Sequence, residues 1–102
     1  MKQRRNGLAD WQKAEKAAEI LKTVAHPIRL QVVDMLVGKE MTVGEIQNVL
    51  GISQSLTSQQ LSLMKSRGVL KSKREGKLMY YSIDMPEVIR ILECLRTCCS
   101  QL

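Results

Sequence analysis

Apolar or small residues at Trp11, Ala14, Ala17, Ala18, Leu21 and Val24 recur every three or four positions. That spacing lines one face of an amphipathic helix running from about Asp10 to Ala25, and its alanines allow a second helix to approach closely. His26-Pro27 interrupts the pattern, and Pro27 suits the first turn of a new helix carrying Ile28, Leu30, Val32, Val33, Leu36 and Val37, with Gly38 as its stop. Thr42-Val43-Gly44-Glu45 has the spacing of a capping box and opens a short third helix with Ile46, Val49 and Leu50 as its apolar positions. Gly51-Ile52-Ser53 reads as a tight turn, after which Ser53 caps a fourth helix from about Gln54 to Arg67, burying Leu56, Leu61, Leu63 and Met64. Beyond Gly68 the period changes. Val69 to Arg74 and Leu78 to Ile83 read as two short strands joined by Glu75-Gly76-Lys77. Asp84-Met85-Pro86-Glu87 has capping-box spacing again and predicts a last helix to about Cys99.

The polar positions are sorted by charge. From Ile46 to Met64 there is no charged residue, and the segment is loaded with Gln, Asn, Ser and Thr. From Lys65 to Lys77 come Lys65, Arg67, Lys71, Lys73, Arg74 and Lys77 against Glu75 alone. That segment holds most of the net charge of +6, with Lys2, Arg4 and Arg5 adding a second basic patch at the start. Amides and hydroxyls can read base edges while lysine and arginine neutralise phosphates, so the succession suits DNA. A solvated basic face beside a polar surface helix is the plainer alternative. The order of elements (helix, helix, helix-turn-helix, basic hairpin, helix) favours DNA.

With 102 residues the chain is expected to form one domain over residues 1–102, with a single core and no capacious pocket. Aromatics are 3% and Phe is absent, so that core must be aliphatic, and base-stacking platforms are poorly supported. The chain has one His, and no nucleophile–base set or carboxylate pair stands out, which argues against an enzyme. His26, placed before a proline at a helix start, is expected to bond backbone rather than to act as a ligand. The three cysteines, Cys94, Cys98 and Cys99, crowd one end and are no disulfide framework. Without a leader pattern or an apolar run near membrane-spanning length, no membrane role is expected and the cytoplasm is the expected address.

Four stretches together resemble a known family: Ala25-His26-Pro27-Ile28-Arg29-Leu30, Leu50-Gly51-Ile52-Ser53-Gln54-Ser55, Leu61 through Leu70, and Arg74-Glu75-Gly76-Lys77 through Tyr80-Tyr81. In order and spacing they are similar to the ArsR/SmtB family of winged helix-turn-helix repressors, over nearly the whole chain. The resemblance implies a mainly α fold with a small β-hairpin wing, α-α-α-α-β-β-α, forming a homodimer. It would place the helix from Gln54 in the major groove of double-stranded DNA, with Gln54, Ser55, Thr57, Ser58 and Gln59 nearest base edges or flanking phosphates. At least one of these five is expected to face elsewhere. Lys73, Arg74 and Lys77 would sit on the wing near phosphates, with Lys65 in the same basic segment. The first and last helices would pair across a two-fold axis through Trp11 and the stripe Val88, Leu92 and Leu95, which predicts an inverted-repeat operator.

Members of the family release DNA on binding a metal or metalloid, or on thiol oxidation, through sites that differ between branches. A Cys-Val-Cys site on the third helix would fall on Thr42 and Gly44 and is missing. A zinc site on the last helix needs His, which this helix lacks. The reactive-sulfur branch pairs a second-helix cysteine with a C-terminal one, and the former falls on Asp34. Met85-Pro86 and Cys98-Cys99 resemble arsenic-responsive members, in which a third cysteine follows the pair; here Cys94 would have to replace it. The expected ligands of a thiophilic inducer, As(III), Sb(III) or another soft metal, are therefore Cys94, Cys98 and Cys99, with no constitutive cofactor. On one regular helix Cys94 and Cys98 share a face, but Cys99 lies about 100° from Cys98. The helix end would have to unwind, or the site use fewer thiols or the other subunit. Oxidation or persulfidation of the same thiols is the alternative. A protein-interaction module on a winged-helix scaffold is a different one, and loss of DNA affinity with rising salt separates it from a repressor.

Overall fold

The computed structural model describes residues 10–100, so the basic patch of Lys2, Arg4 and Arg5 lies outside the described residues. Five helices and three strands follow in the order α1 (Trp11–Val24), α2 (Pro27–Met35), β1 (Met41–Thr42), α3 (Val43–Leu50), α4 (Gln54–Ser66), β2 (Leu70–Glu75), β3 (Leu78–Ile83) and α5 (Glu87–Cys99). The strands form one antiparallel sheet with β3 in the middle, flanked by β1 and β2. Strand β1 was not anticipated. It is two residues long, too short for an alternating pattern, and its Thr42 also caps α3.

Most helix starts follow their cap chemistry. Asp10 accepts from the Gln12 amide, and His26 Nδ1 accepts from the Ile28 amide at 3.1 Å with Pro27 in the first turn. Thr42 and Glu45 complete a reciprocal capping box at 3.2 and 2.9 Å. The expected box at Asp84 does not form. The residue before α5 is Pro86, without a side-chain cap, and the Asp84 amide instead donates to the Val69 carbonyl at the base of the hairpin. Helix α2 ends at Met35, and Leu36 to Gly38 turn away from it.

The core is aliphatic: Val24, Val32, Val33, Leu36, Ile46, Leu61, Met64, Val69, Leu70, Val88 and Leu92 are buried, with Tyr81 and Ile83 packed at its edge. Two expectations about packing are corrected here. Val49 is 65% exposed, so α3 buries Ile46 without it. Val88 and Leu92, expected to face a partner, lie inside the protomer's own core because α5 packs on α2. Helix α1 divides its apolar residues: Ile20 and Val24 pack on the core, while Trp11 and Leu21 stay exposed.

Candidate nucleic-acid interface

Helices α3 and α4 meet through Gly51, which closes α3 in the left-handed conformation (φ +69°) and donates to the Gln47 carbonyl at 2.8 Å. Ser53 then starts α4, its Oγ accepting from the Leu56 amide at 3.1 Å. At about 100° per residue, Gln54, Ser55, Ser58, Ser62 and Gln59 share an arc of roughly 140°, and Lys65 falls within it. Ser58 is half-buried and the other five are exposed. This arc is uncharged until Lys65.

Thr57 does not belong to it. It is fully buried, and its hydroxyl donates to the Ser53 carbonyl at 2.8 Å, inside the first turn of its own helix. The expectation that Thr57 faces DNA is corrected: it is a packing residue in line with Leu61 and Met64. Leu56 and Leu63, expected in the core, are only half-buried. Ser62 went unnoticed in the sequence although it lies one turn beyond Ser58, a spacing that could have revealed it. Gln60 was not singled out either. It turns inward to accept from Arg29 Nη1 of α2 at 2.9 Å, fixing α4 against α2.

The hairpin pairs Leu70 with Ile83 through to Glu75 with Leu78, leaving Gly76 and Lys77 as a two-residue turn. Gly76 has φ +64° and no non-glycine residue among those described has a positive φ, so glycine occupies the first turn position, as this type of hairpin requires. Side chains alternate across the strand, so Arg74 shares the core-facing side with Leu70, Ser72 and Tyr81, whereas Lys71, Lys73 and Glu75 project from the other. Lys73 Nζ lies 3.3 Å from both Glu40 and Glu75, and these two carboxylates raise its pKa above the usual lysine value. Lys65, Arg74 and Lys77 are exposed and pair with no acid among the described residues.

A second region involves α5. Cys94, Cys98 and Cys99 are free and exposed on a helix that is regular through Cys99. Among the described residues no group of three or more His, Cys, Asp or Glu stands close enough to hold a metal ion, so the three thiols do not converge within one protomer. Cys99 lines a shallow, mainly apolar groove of about 330 Å³ between α2 and α5 with Leu30, Leu92 and Leu95. One edge of the groove is an ion pair between Asp34 of α2 and Arg96 of α5.

Residues 26–72, which run from the cap of α2 into the hairpin, match the model of bacterial regulatory proteins of the arsR family. The transcriptional repressor PagR of Bacillus anthracis is 41% identical over 87 residues, covering 84% of this chain and 87% of the relative. The chain belongs to the ArsR family. As an ArsR-family protein it is a DNA-binding transcription regulator and not an enzyme, with the winged helix-turn-helix fold. The repressor BigR from Xylella fastidiosa superposes with a TM-score of 0.82 at 33% identity, over 86% of this chain and 90% of that one. A homodimeric winged helix-turn-helix domain, Mb0332 from Mycobacterium bovis, gives 0.75 at 27% identity over 99% and 92%. Among the described residues of this ArsR-family chain, no helix is long and apolar enough to cross a membrane.

Proposed function

We propose that this ArsR-family regulator is a homodimeric repressor that acts in the cytoplasm and releases an inverted-repeat operator when thiols on α5 react with a thiophilic metalloid or metal of the arsenite or antimonite type. The observation that carries the DNA half is the uncharged arc of α4, five amide and hydroxyl side chains followed by Lys65, with Arg74 and Lys77 exposed on the wing beside it. An uncharged reading face bounded by cations separates base contacts from phosphate contacts. Dimerisation is supported by the exposed Trp11 and Leu21 of α1 and by the homodimeric relative. Two-fold symmetry in the protein then calls for two-fold symmetry in the site.

The inducer half is supported by the exposure of all three thiols. Cys94 and Cys98 stand one turn apart and can hold one soft centre between them, whereas Cys99 joins only if the last turn opens or the partner contributes. Movement of α5 has a physical route to α4. Asp34 ties α2 to α5, Arg29 ties α2 to Gln60 of α4, and the shared core lies between. A second reading, oxidation or persulfidation, draws support from the divergence of the thiols, because that chemistry needs one accessible thiolate at a time.

Fluorescence anisotropy of the reduced protein on its own upstream duplex, titrated with arsenite at fixed salt, tests both halves. Release near one equivalent per site, abolished in Cys98→Ser with Cys99→Ser, supports the metalloid reading. Tight binding that arsenite leaves intact removes arsenic and makes polysulfide and oxidants the next titrants. Absence of binding overturns the operator assignment.

A further inference from the structure

The resemblance puts Lys73, Arg74 and Lys77 together near phosphate, but the structure gives them different surroundings. Glu40 immediately precedes β1, and β1 and β2 lie on opposite sides of β3. Lys73 of β2 must therefore reach over β3 to meet Glu40. It does so on the outer side of the sheet, beside Lys71 and Ser82, which are cross-strand partners. Glu75, two residues on and on the same side, takes the ammonium from the wing-tip end. The trio carries one more negative than positive charge. Arg74 leaves the opposite side of the strand and Lys77 leaves the turn, and neither has an acidic partner among the described residues. Lys71 and Tyr80 share the Lys73 side of the β2–β3 pair, and Lys39 lies beside Glu40 and Lys71.

We propose that Lys73 is a positioning residue, a strap that ties β2 across the sheet to Glu40 and Glu75, and that those two acids withhold its charge from DNA, leaving Arg74 and Lys77 as the phosphate contacts of the wing. The proposal rests on the DNA-binding role of the chain. It makes Glu40 and Glu75 brakes on affinity, since a phosphate approaching Lys73 must displace a carboxylate already in place. Exposed pairs of this kind exchange with solvent and are screened by salt, so the brake is adjustable rather than locked.

The test compares full-length variants on the upstream duplex across a salt series. Arg74→Met lowers the magnitude of the log–log salt slope by about 0.9 per protomer, the value of one lost phosphate contact. Lys73→Met leaves the slope unchanged, and Lys73→Arg, which keeps both ion pairs, retains full affinity. Glu40→Gln combined with Glu75→Gln frees the ammonium, steepens the slope and tightens binding at low salt by roughly threefold or more. The strap is overturned if Lys73→Met flattens the slope as Arg74→Met does, or if the double Glu variant binds as the unaltered protein does. A second readout needs no DNA. The two carboxylates raise the Lys73 pKa above the usual lysine value, and in an NMR titration that elevation falls back in the double Glu variant. A Lys73 titration that the double Glu variant leaves unchanged overturns the strap independently. Failure of the unaltered protein to bind the duplex counts only against the repressor reading.

Discussion

Helices α4 and α5 are each 13 residues long, each with a buried stripe and an exposed face, yet they are held in place very differently. Helix α4 is capped by Ser53, pinned to α2 by Arg29 and Gln60, and anchored in the core by Thr57, Leu61 and Met64. Helix α5 starts without a side-chain cap and buries only Val88 and Leu92 near its beginning. Its last two turns, where the cysteines sit, are exposed and joined to the body by the Asp34–Arg96 pair. A reader of DNA must present its side chains in a fixed frame before the operator arrives. A sensor must be able to move, and movable elements come from the least secured parts of a fold. The anchoring of α4 suits the proposed reading role, and the light attachment of the end of α5 suits the proposed sensing role.

The largest expected effect is on stability. Leu61→Ala, at a fully buried site of α4, lowers unfolding free energy by roughly 2–5 kcal/mol, while Leu95→Ala on the outer part of α5 costs less than about 1. Urea unfolding at matched protein concentration measures both. Equal losses would erase the distinction between the helices.

Next comes DNA affinity. Gln59→Ala, in the exposed arc, is expected to weaken operator binding by about 5- to 150-fold, the equivalent of roughly 1–3 kcal/mol for a lost base contact. Its urea midpoint should not move. Glu93→Ala, exposed on α5 and outside the proposed reading face, should leave operator binding within about twofold. Anisotropy on the same duplex measures both, and an effect at Glu93 as large as at Gln59 would place DNA against α5.

The same contrast explains what was legible in the sequence. The path from α3 through the turn to α4 could be read because each step has a chemical signature: Thr42 with Glu45, Gly51, then Ser53. Thr57 misled because a hydroxyl in the sequence suggests a side chain facing water, while the helix satisfies it internally at the Ser53 carbonyl; its spacing from Leu61 and Met64 was the better guide. At α5 local signatures lost to tertiary context. Asp84 has the spacing of a cap, but its amide serves the hairpin and Pro86 takes the place before the helix. The stripe through Val88 and Leu92 looks the same in sequence whether it faces its own core or a partner's. Likewise, spacing alone sets the angles between thiols, but not that Cys99 borders α2.

A smaller effect concerns the caps. Ser53→Ala removes the acceptor for the Leu56 amide and should cost about 1 kcal/mol, with a parallel weakening of operator binding because the first turn of α4 carries Gln54 and Ser55. Thr57→Val keeps the buried volume and removes only a hydroxyl that faces its own helix, so operator affinity should stay within about twofold. A larger drop, with unchanged unfolding, would return Thr57 to the reading face.

The smallest stability effect is expected where the functional consequence is most informative. The Asp34 and Arg96 side chains are 52% and 55% exposed, so solvent and salt screen their attraction, and exposed pairs are worth about 0–1 kcal/mol. Asp34→Asn should therefore barely move the urea midpoint, and Asp34→Asn with Arg96→Gln should show little coupling in stability. Inducer response is a different matter. If the pair is what keeps the end of α5 against α2, then loosening it raises the population of displaced α5 before any thiol reacts. Less thiol-reactive agent is then needed for release, because the ligand no longer has to separate the pair itself. The concentration of inducer that releases half the operator should fall in Asp34→Asn while affinity without inducer changes little. An unchanged inducer requirement would mean that α5 and α2 stay together during sensing, and the route from the thiols to α4 would have to run through the partner protomer.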